Sequence, residues 1–325
     1  MAQLTYRQAL YAALHEEMTR DPNIILLGED VGQFGGAFGV SGDLLHQFGA
    51  WRVLDTPISE SGFVGAAVGA ALMGMRPVVE IMFADFLTVA ADALINQLAK
   101  VSYMSGGKVS APVVVRVTTG APGSAAAQHS QSAEAWLMNI PGLKLITPTT
   151  PADAKGLLKT AIRGADPVIF FEHKRLYDTL GDVPTGEQLI PFGEGRIVRA
   201  GRDVTVVSIS GMLPDVLTAA DQLEQAGISV EVIDPRCLVP FDLPLLLDSV
   251  AKTSRLVIVH EGHQRGGVGA EIAALVAEHG LDRLDAPIIR VAAANIPIPY
   301  SPPLEKAVLP SVKDIIEGVQ RVIGS

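Results

Sequence analysis

Asp55-Thr-Pro-Ile-Ser-Glu60-Ser-Gly-Phe-Val-Gly65-Ala-Ala-Val-Gly69-Ala-Ala-Leu-Met-Gly74 is the stretch on which the reading of the chain turns. Val53-Leu54-Asp55 reads as the end of a strand, Thr56-Pro57 as a turn, and the remainder as an almost wholly apolar helix. Gly62, Gly65 and Gly69 recur at helical spacing, with Ala66 and Ala70 beside them. A glycine inside a helix costs about 1 kcal/mol relative to alanine. Three of them on one helix imply that another helix or a ligand comes close to its backbone. Glu60 stands at the mouth of that helix. A strand end, a tight turn and a helix N-terminus make the corner at which open α/β sheets bind ligands. An acidic residue there also serves simply to meet the helix dipole. The apolar surroundings of Glu60 argue for more than that, because they push a carboxyl toward neutrality and chemistry.

On either side of this stretch, strand and helix alternate. Thr5-Tyr-Arg-Gln8 is a capping box opening a helix with Leu10, Leu14 and Met18 on one face, and Asp21-Pro22 stops it. Ile24-Ile-Leu-Leu27 is a continuous apolar run, as a strand buried on both sides requires. Pro77-Val-Val-Glu-Ile-Met82, Pro112-Val-Val-Val-Arg-Val117, Leu143-Lys-Leu-Ile146 and Pro167-Val-Ile-Phe-Phe171 are further strands. Residues 84–100 read as one apolar helix, another begins near Ala152, and a long loop runs from Thr118 to Ser132. The pattern lapses between His173 and Gly195 into a linker, and a second α/β unit follows. Its strands are Val204–Ser208, Ile228–Ile233, Leu256–Val259 and Ile288–Val291, with a last helix from Val312 to Val322. The expectation is an α/β chain of two three-layer α/β/α domains, residues 1–185 and 186–325, each on a mainly parallel sheet.

Composition narrows the partners. A net charge of −10 argues against nucleic acid and anionic membranes. The apolar fraction is 48% and the mean hydropathy +0.33, yet no run of 18 uncharged apolar residues reads as a membrane span. A buried sheet and a large subunit interface account for the surplus. One cysteine, Cys237, excludes an intrachain disulfide, and Met1-Ala-Gln-Leu-Thr-Tyr6 has no basic start or apolar core of a signal peptide. A cytoplasmic location is expected.

Several short patterns carry possible chemistry. The loop holding Gly32, Gly35, Gly36, Gly39 and Gly42 lacks the Gly-Lys-Ser/Thr ending of a phosphate loop and reads as a lid or interface segment. His129, in Gln128-His-Ser-Gln131, is a candidate general acid or base, with a solvated loop histidine as the plainer reading. His260-Glu-Gly-His263 does not have the spacing of a helical zinc motif. Gly266-Gly-Val-Gly269 imitates part of a dinucleotide fingerprint and reads as a tight strand-to-helix turn. No Gly-x-Ser-x-Gly elbow supports serine hydrolase chemistry.

Taken together, Asp55-Thr-Pro-Ile-Ser-Glu60, Tyr103-Met-Ser-Gly-Gly107, Ala127-Gln-His-Ser-Gln131 and Pro141-Gly-Leu-Lys144 form a recognisable set. Asp234-Pro-Arg-Cys-Leu-Val-Pro-Phe-Asp242, Gly267-Val-Gly-Ala-Glu-Ile272 and Ile298-Pro-Tyr300 extend it over the second half. The chain resembles, over essentially its whole length, the β subunit of the thiamine-diphosphate-dependent dehydrogenase component of 2-oxoacid dehydrogenase complexes. The resemblance implies a pyrimidine-binding domain followed by a transketolase-type C-terminal domain, in an α2β2 heterotetramer. It implies decarboxylation of a 2-oxoacid and acyl transfer to the lipoyl arm of a partner acyltransferase. Glu60 matches the glutamate that hydrogen-bonds the aminopyrimidine ring nitrogen of the cofactor, and Phe86 the aromatic residue packed on that ring. His129 matches the histidine associated with acyl transfer. The carbonyls of Val113, Ala161, Ile162, Gly164 and Asp166 match a structural potassium site.

Relatives hold the cofactor's magnesium through Gly-Asp-Gly and a following Asn-Asn, neither of which occurs in this chain. The resemblance therefore implies that an α subunit holds the magnesium and completes the cofactor site. Pyruvate is the expected substrate, with acetoin and branched-chain 2-oxoacids as alternatives. Two other classes stay open: a nicotinamide-dependent oxidoreductase using the Gly267 turn, and a non-catalytic scaffold subunit.

Overall fold

In the computed structural model, which describes residues 1–121 and 123–324, the chain divides into two compact units. The first comprises Met1–Thr119 with Leu137–Phe192, the second Gly120–Trp136 with Gly193–Ser325.

In chain order the first unit contains β1 (Ala2–Thr5), α1 (Tyr6–Arg20), β2 (Ile24–Gly28), α2 (Leu44–Phe48), β3 (Val53–Asp55), α3 (Glu60–Leu72), β4 (Arg76–Ile81), α4 (Val101–Met104) and β5 (Val114–Thr119). A short helix, α5 (Glu134–Met138), stands where the chain returns from the second unit. Then come β6 (Lys144–Ile146), α6 (Pro151–Arg163), β7 (Val168–His173) and β8 (Leu180–Val183). Strands run in the order β6-β7-β5-β4-β2-β3, every pairing among them parallel. Leu26, Val79, Val115 and Ile169 are buried, which is why these strands read as continuous apolar runs. The α1 capping box is formed: Thr5 Oγ1 accepts from the Gln8 amide at 3.1 Å, and Gln8 Oε1 from the Thr5 amide at 2.9 Å.

Two expectations give way here. Residues 173–195 are not a bare linker, because β8 pairs antiparallel with β1, Leu4 opposite Gly181. Such a pair is held by its backbone and needs no apolar signature. Residues 84–100 are not one helix either. A 3₁₀ turn (Ala84–Thr88) is followed by a π-helical segment (Ala93–Leu98) and then by α4. Thr88 Oγ1 donates to the Asp85 carbonyl at 2.8 Å, a side-chain bond that competes with the helix ladder. Further on, the Ala99 amide bonds the Leu94 carbonyl five residues back at 3.0 Å. Such π-turns gather at functional sites, and this one packs against α3.

The second unit contains β9 (Arg196–Arg199), β10 (Val204–Ser208), α7 (Leu213–Gln225), β11 (Val230–Asp234), β12 (Cys237–Val239), α8 (Leu243–Thr253), β13 (Leu256–His263), α9 (Val268–Gly280), β14 (Ile289–Ala293), α10 (Pro302–Val308) and α11 (Val312–Ile323). Its sheet has the order β14-β13-β10-β11-β9, parallel except for β9. Val204, Val206, Val257 and Val259 pack with Val216 and Leu223 of α7 and with Ile315 and Val319 of α11. Thr205, on the opposite face, bonds Ser249 and Thr253 of α8. Loop 120–136, entered directly from β5, groups with this second unit.

Candidate functional site

The turn that delivers Glu60 is closed by backbone bonding. Gly28 at the end of β2 is in register with Asp55 at the end of β3, and the Thr56 amide donates to the Gly28 carbonyl at 3.0 Å. Glu60 is the first residue of α3 and only 5% exposed. Directly after β2 comes Glu29, also buried, whose Oε1 has no hydrogen-bond partner among the described residues. Burial raises the Glu29 carboxyl above its usual range, and the charge of Glu60 raises it further, with the Ser59 amide opposing. Glu29 thus sits buried beside a second carboxyl at the carboxyl edge of one sheet, a setting that favours its neutral form. The sequence reading passed over Glu29. Its signal was position alone, the residue after a buried strand that neighbours the strand carrying the site.

Asp55 has a separate task. Its carboxylate accepts the amides of Gly32 at 2.6 Å and Gln33 at 3.2 Å, which ties the glycine-rich loop to β3. Gly36 in that loop has φ +88°, and a Cβ there would stand 3.0 Å from Glu80 Oε1. Glycine is required at this point by both conformation and space. Beneath lies a buried charge cluster that the sequence reading also missed. Arg116, 1% exposed, bonds Glu172 through Nε (2.7 Å) and Nη2 (2.8 Å), and Glu80 through Nη1 (2.6 Å). Tyr177 donates to Glu172 at 2.9 Å and shares a hydrogen bond with Thr118 at 2.8 Å. The sequence signal was partial: Glu80 and Arg116 are lone charges inside the runs Pro77–Met82 and Pro112–Val117 and stand opposite one another, while Glu172 falls just past the run that ends at Phe171.

Phe86 is half-buried in the 3₁₀ turn after β4. It belongs to an aromatic series. Phe86 meets Phe83 edge-on (6.1 Å between centroids), Phe83 meets Phe38 edge-on (5.5 Å), and Phe38 stacks on Tyr177 (5.2 Å). Glu60, Glu29 and Phe86 are all residues of the first unit. Their chemistry, a buried carboxyl pair and a half-buried aromatic edge, fits the aminopyrimidine end of thiamine diphosphate.

The outer side of α3 is open. Among the described residues, a Cβ on Gly65 or Gly69 would meet nothing within 4 Å, so the close approach predicted for these glycines is not made by any of them. Ile58 and Met73 at the two ends of the helix are exposed.

His129 is half-buried in the second unit. Its loop is closed at the base by the Gly120 amide bonding the Gln131 carbonyl at 3.2 Å. Ala127 and Gln131 of the same loop line a cleft of about 430 Å³ with His263, Arg265, Asn295 and Ile298. Pro122 lies outside the described residues.

The remaining sequence candidates resolve differently. A Cβ on Gly267 would come within 2.5 Å of His260 Cε1, and one on Gly269 within 2.9 Å of its Nε2. The partial dinucleotide fingerprint is thus the space for a buried imidazole. Burial, with the charges of Arg290 and His263, pushes the His260 pKa down to about 4, so the ring is neutral. His263 turns Nδ1 to the Ala294 carbonyl at 2.8 Å.

Four of the five carbonyls matched to a potassium site already accept hydrogen bonds. Arg76 Nε donates to the Ile162 oxygen at 2.8 Å, and its Nη2 donates to that of Gly164. The Ala161 oxygen accepts from the Gly164 amide at 3.2 Å and the Val113 oxygen from the Val168 amide at 3.0 Å, while the Asp166 side chain pairs with Lys144. Each carbonyl keeps a second lone pair. A guanidinium bound to two of the five nevertheless repels a cation placed among them. The residues do not fit a site awaiting potassium.

Comparison with known proteins agrees with this architecture. The transketolase pyrimidine-binding domain model matches residues 2–179, and the transketolase C-terminal domain model residues 193–315. A pyruvate dehydrogenase E1 component subunit beta of Rhizobium meliloti is 47% identical over 99% of this chain and 70% of its own length. That of Rickettsia felis is 47% identical over 98% of each chain. A mitochondrial subunit beta-2 of Oryza sativa is 46% identical over 98% of this chain and 86% of its own. Among solved structures, a split-gene transketolase described as an inactive β4 tetramer superposes with a TM-score of 0.81. It covers 99% of this chain and 98% of that one at 23% identity, which speaks to the fold alone. With both domain models matched in order and full-length relatives near half identity, the chain belongs to the transketolase-like family of pyruvate dehydrogenase E1 β subunits.

Proposed function

We propose that this chain is the β subunit of a thiamine-diphosphate-dependent, pyruvate dehydrogenase-type oxidoreductase, acting on pyruvate in an α2β2 assembly and passing the acyl group to a lipoyl acyltransferase. The observation that carries the proposal is Glu60, buried at the start of a helix whose glycine face is left open. When bound, thiamine diphosphate supplies a nucleophilic carbon and an electron sink. Glu60 would hold a proton at the pyrimidine ring nitrogen, with Glu29 beside it raised by burial toward its neutral form. Phe86 would pack against the ring and exclude water from it. His129 would move a proton during acyl transfer to the lipoyl group. Magnesium and the diphosphate belong to the α subunit in this reading, since the chain has neither Gly-Asp-Gly nor Asn-Asn. The α subunit is also the proposed cover for α3. A cytoplasmic location is part of the same proposal.

The isolated chain should accordingly bind thiamine diphosphate weakly, because an unneutralised diphosphate meets a subunit of net charge −10. Calorimetry with and without magnesium measures this. Adding an α subunit should restore magnesium-dependent binding and decarboxylation together, with pyruvate turned over faster than acetoin or a branched-chain 2-oxoacid. Micromolar, magnesium-dependent binding by the chain alone would overturn the shared site.

His129→Ala should lower transfer to a lipoyl domain more than decarboxylation followed with an artificial electron acceptor. Equal losses in the two assays would assign His129 to decarboxylation instead.

A further inference from the structure

We infer that Glu261 and Glu305 are positioning residues for His129, fixing the conformation of loop 120–132 through its backbone. Glu261, at the end of β13, is 8% exposed, and Glu305, in α10, is 4% exposed. Buried carboxylates demand donors. Glu261 Oε1 accepts the Ala121 amide at 2.6 Å and the Ser132 hydroxyl at 3.5 Å, one from each end of the loop. Glu305 accepts the Gly123 amide at 3.3 Å on Oε2 and the Ser124 amide at 3.1 Å on Oε1. Successive amides converging on one carboxylate form a charge-assisted clamp, stronger and more directional than neutral bonds.

The clamp holds a backbone that would not keep this shape unaided. Gly123 has φ 148°, Ser124 φ 54° and Ala126 φ 59°. The left-handed region disfavours side-chain-bearing residues such as Ser124 and Ala126, so surrounding bonds must impose it. His129 follows three residues after Ala126, within the segment closed by the Gly120–Gln131 bond. Its placement is therefore set by carboxylates 140 and 181 residues along the chain from the amides they hold. Glu261 and Glu305 hold backbone, and they act on the reaction only through His129.

This inference rests on His129 serving catalysis, whichever step it serves. The test uses the assembled enzyme with Glu305→Ala, Glu305→Gln and Glu261→Gln, beside His129→Ala. Each is assayed for transfer to a lipoyl domain and for decarboxylation with an artificial acceptor, and amide exchange is followed over residues 120–132. Glu305→Ala should reproduce the His129→Ala profile, with kcat for the affected step down roughly tenfold or more, as for the loss of charged hydrogen bonds. KM for the lipoyl domain should stay unchanged, exchange in the loop should rise, and Glu305→Gln should recover part of the loss. If His129→Ala affects decarboxylation rather than transfer, the role given to His129 falls, and the clamp stands so long as the glutamate variants follow the same profile. Unchanged exchange in the loop, or a profile unlike that of His129→Ala, overturns the inference. Should Glu305→Ala not assemble, Glu305→Gln and Glu261→Gln should each show raised exchange in the loop with a milder form of the His129→Ala profile, and wild-type behaviour in both overturns the inference.

Discussion

Glu60→Gln in the assembled enzyme should lower turnover by ~10²–10⁴, the range for loss of a general acid–base group. The substitution keeps the volume and polarity of a residue that is 5% exposed, so folding has little reason to change. What it removes is the charge that would stabilise a protonated ring nitrogen on the cofactor's pyrimidine. Two other carboxyls at the carboxyl edge of the sheet are poorly suited to take over. Asp55 is occupied with the amides of Gly32 and Gln33, and Glu29 is raised by burial toward its neutral form. Proton exchange at the cofactor's reactive carbon isolates this step from acyl transfer. A Gln variant exchanging at the wild-type rate would remove Glu60 from the mechanism.

The strand–turn–helix corner that carries Glu60 was legible in the chain because its signals are local. A strand end, a turn and a glycine-bearing helix follow one another between Val53 and Gly74, and the observed elements follow the same order. The apolar strands were legible for a similar reason, since burial on both faces leaves a continuous run. What escaped depends on partners distant in sequence. Glu29 gains meaning only when β2 and β3 pair with Gly28 opposite Asp55. Loop 120–136 joins the second unit because the carboxylates that hold it come from β13 and α10. Residues 84–100 read as one apolar helix, but a Thr88 side-chain bond and packing against α3 break the segment into 3₁₀ and π pieces before α4 begins. The Gly267–Gly269 pair reads as a tight strand-to-helix turn and lies between β13 and α9 as that reading requires, but the room its glycines leave for His260 depends on a partner from another element.

Arg116→Met should cost about 3–5 kcal/mol of stability, the range for breaking a buried ion pair by removing one partner. In unfolding equilibrium that is roughly 10²–10⁴, at 1.4 kcal/mol per tenfold. The cause is less the lost attraction than the two carboxyls left behind. Arg116 bonds both Glu80 and Glu172, and their charges hold its guanidinium above the ordinary range. Glu172 is already pushed up by burial even with Arg116 pulling it down. Without the arginine, the Glu172 carboxyl would rise further. A carboxyl whose folded pKa lies above its unfolded value favours folding below the unfolded pKa and loses that contribution as pH rises through the folded one. The variant should therefore be most impaired at neutral and alkaline pH and approach the wild type as pH falls into the carboxylate range. Adding Glu80→Gln and Glu172→Gln should recover much of the loss at neutral pH, because no uncompensated charge remains. Urea unfolding of the three proteins across pH measures all of this. A loss below about 1 kcal/mol at neutral pH, as for an exposed pair, would show that the cluster is not insulated from water. Gly36 of the glycine-rich loop lies against Glu80, and Asp55 ties the same loop to β3 beside Glu29. Loosening the cluster should therefore disturb the first unit from beneath the carboxyl pair outward, so activity loss in Arg116→Met should track unfolding instead of preceding it.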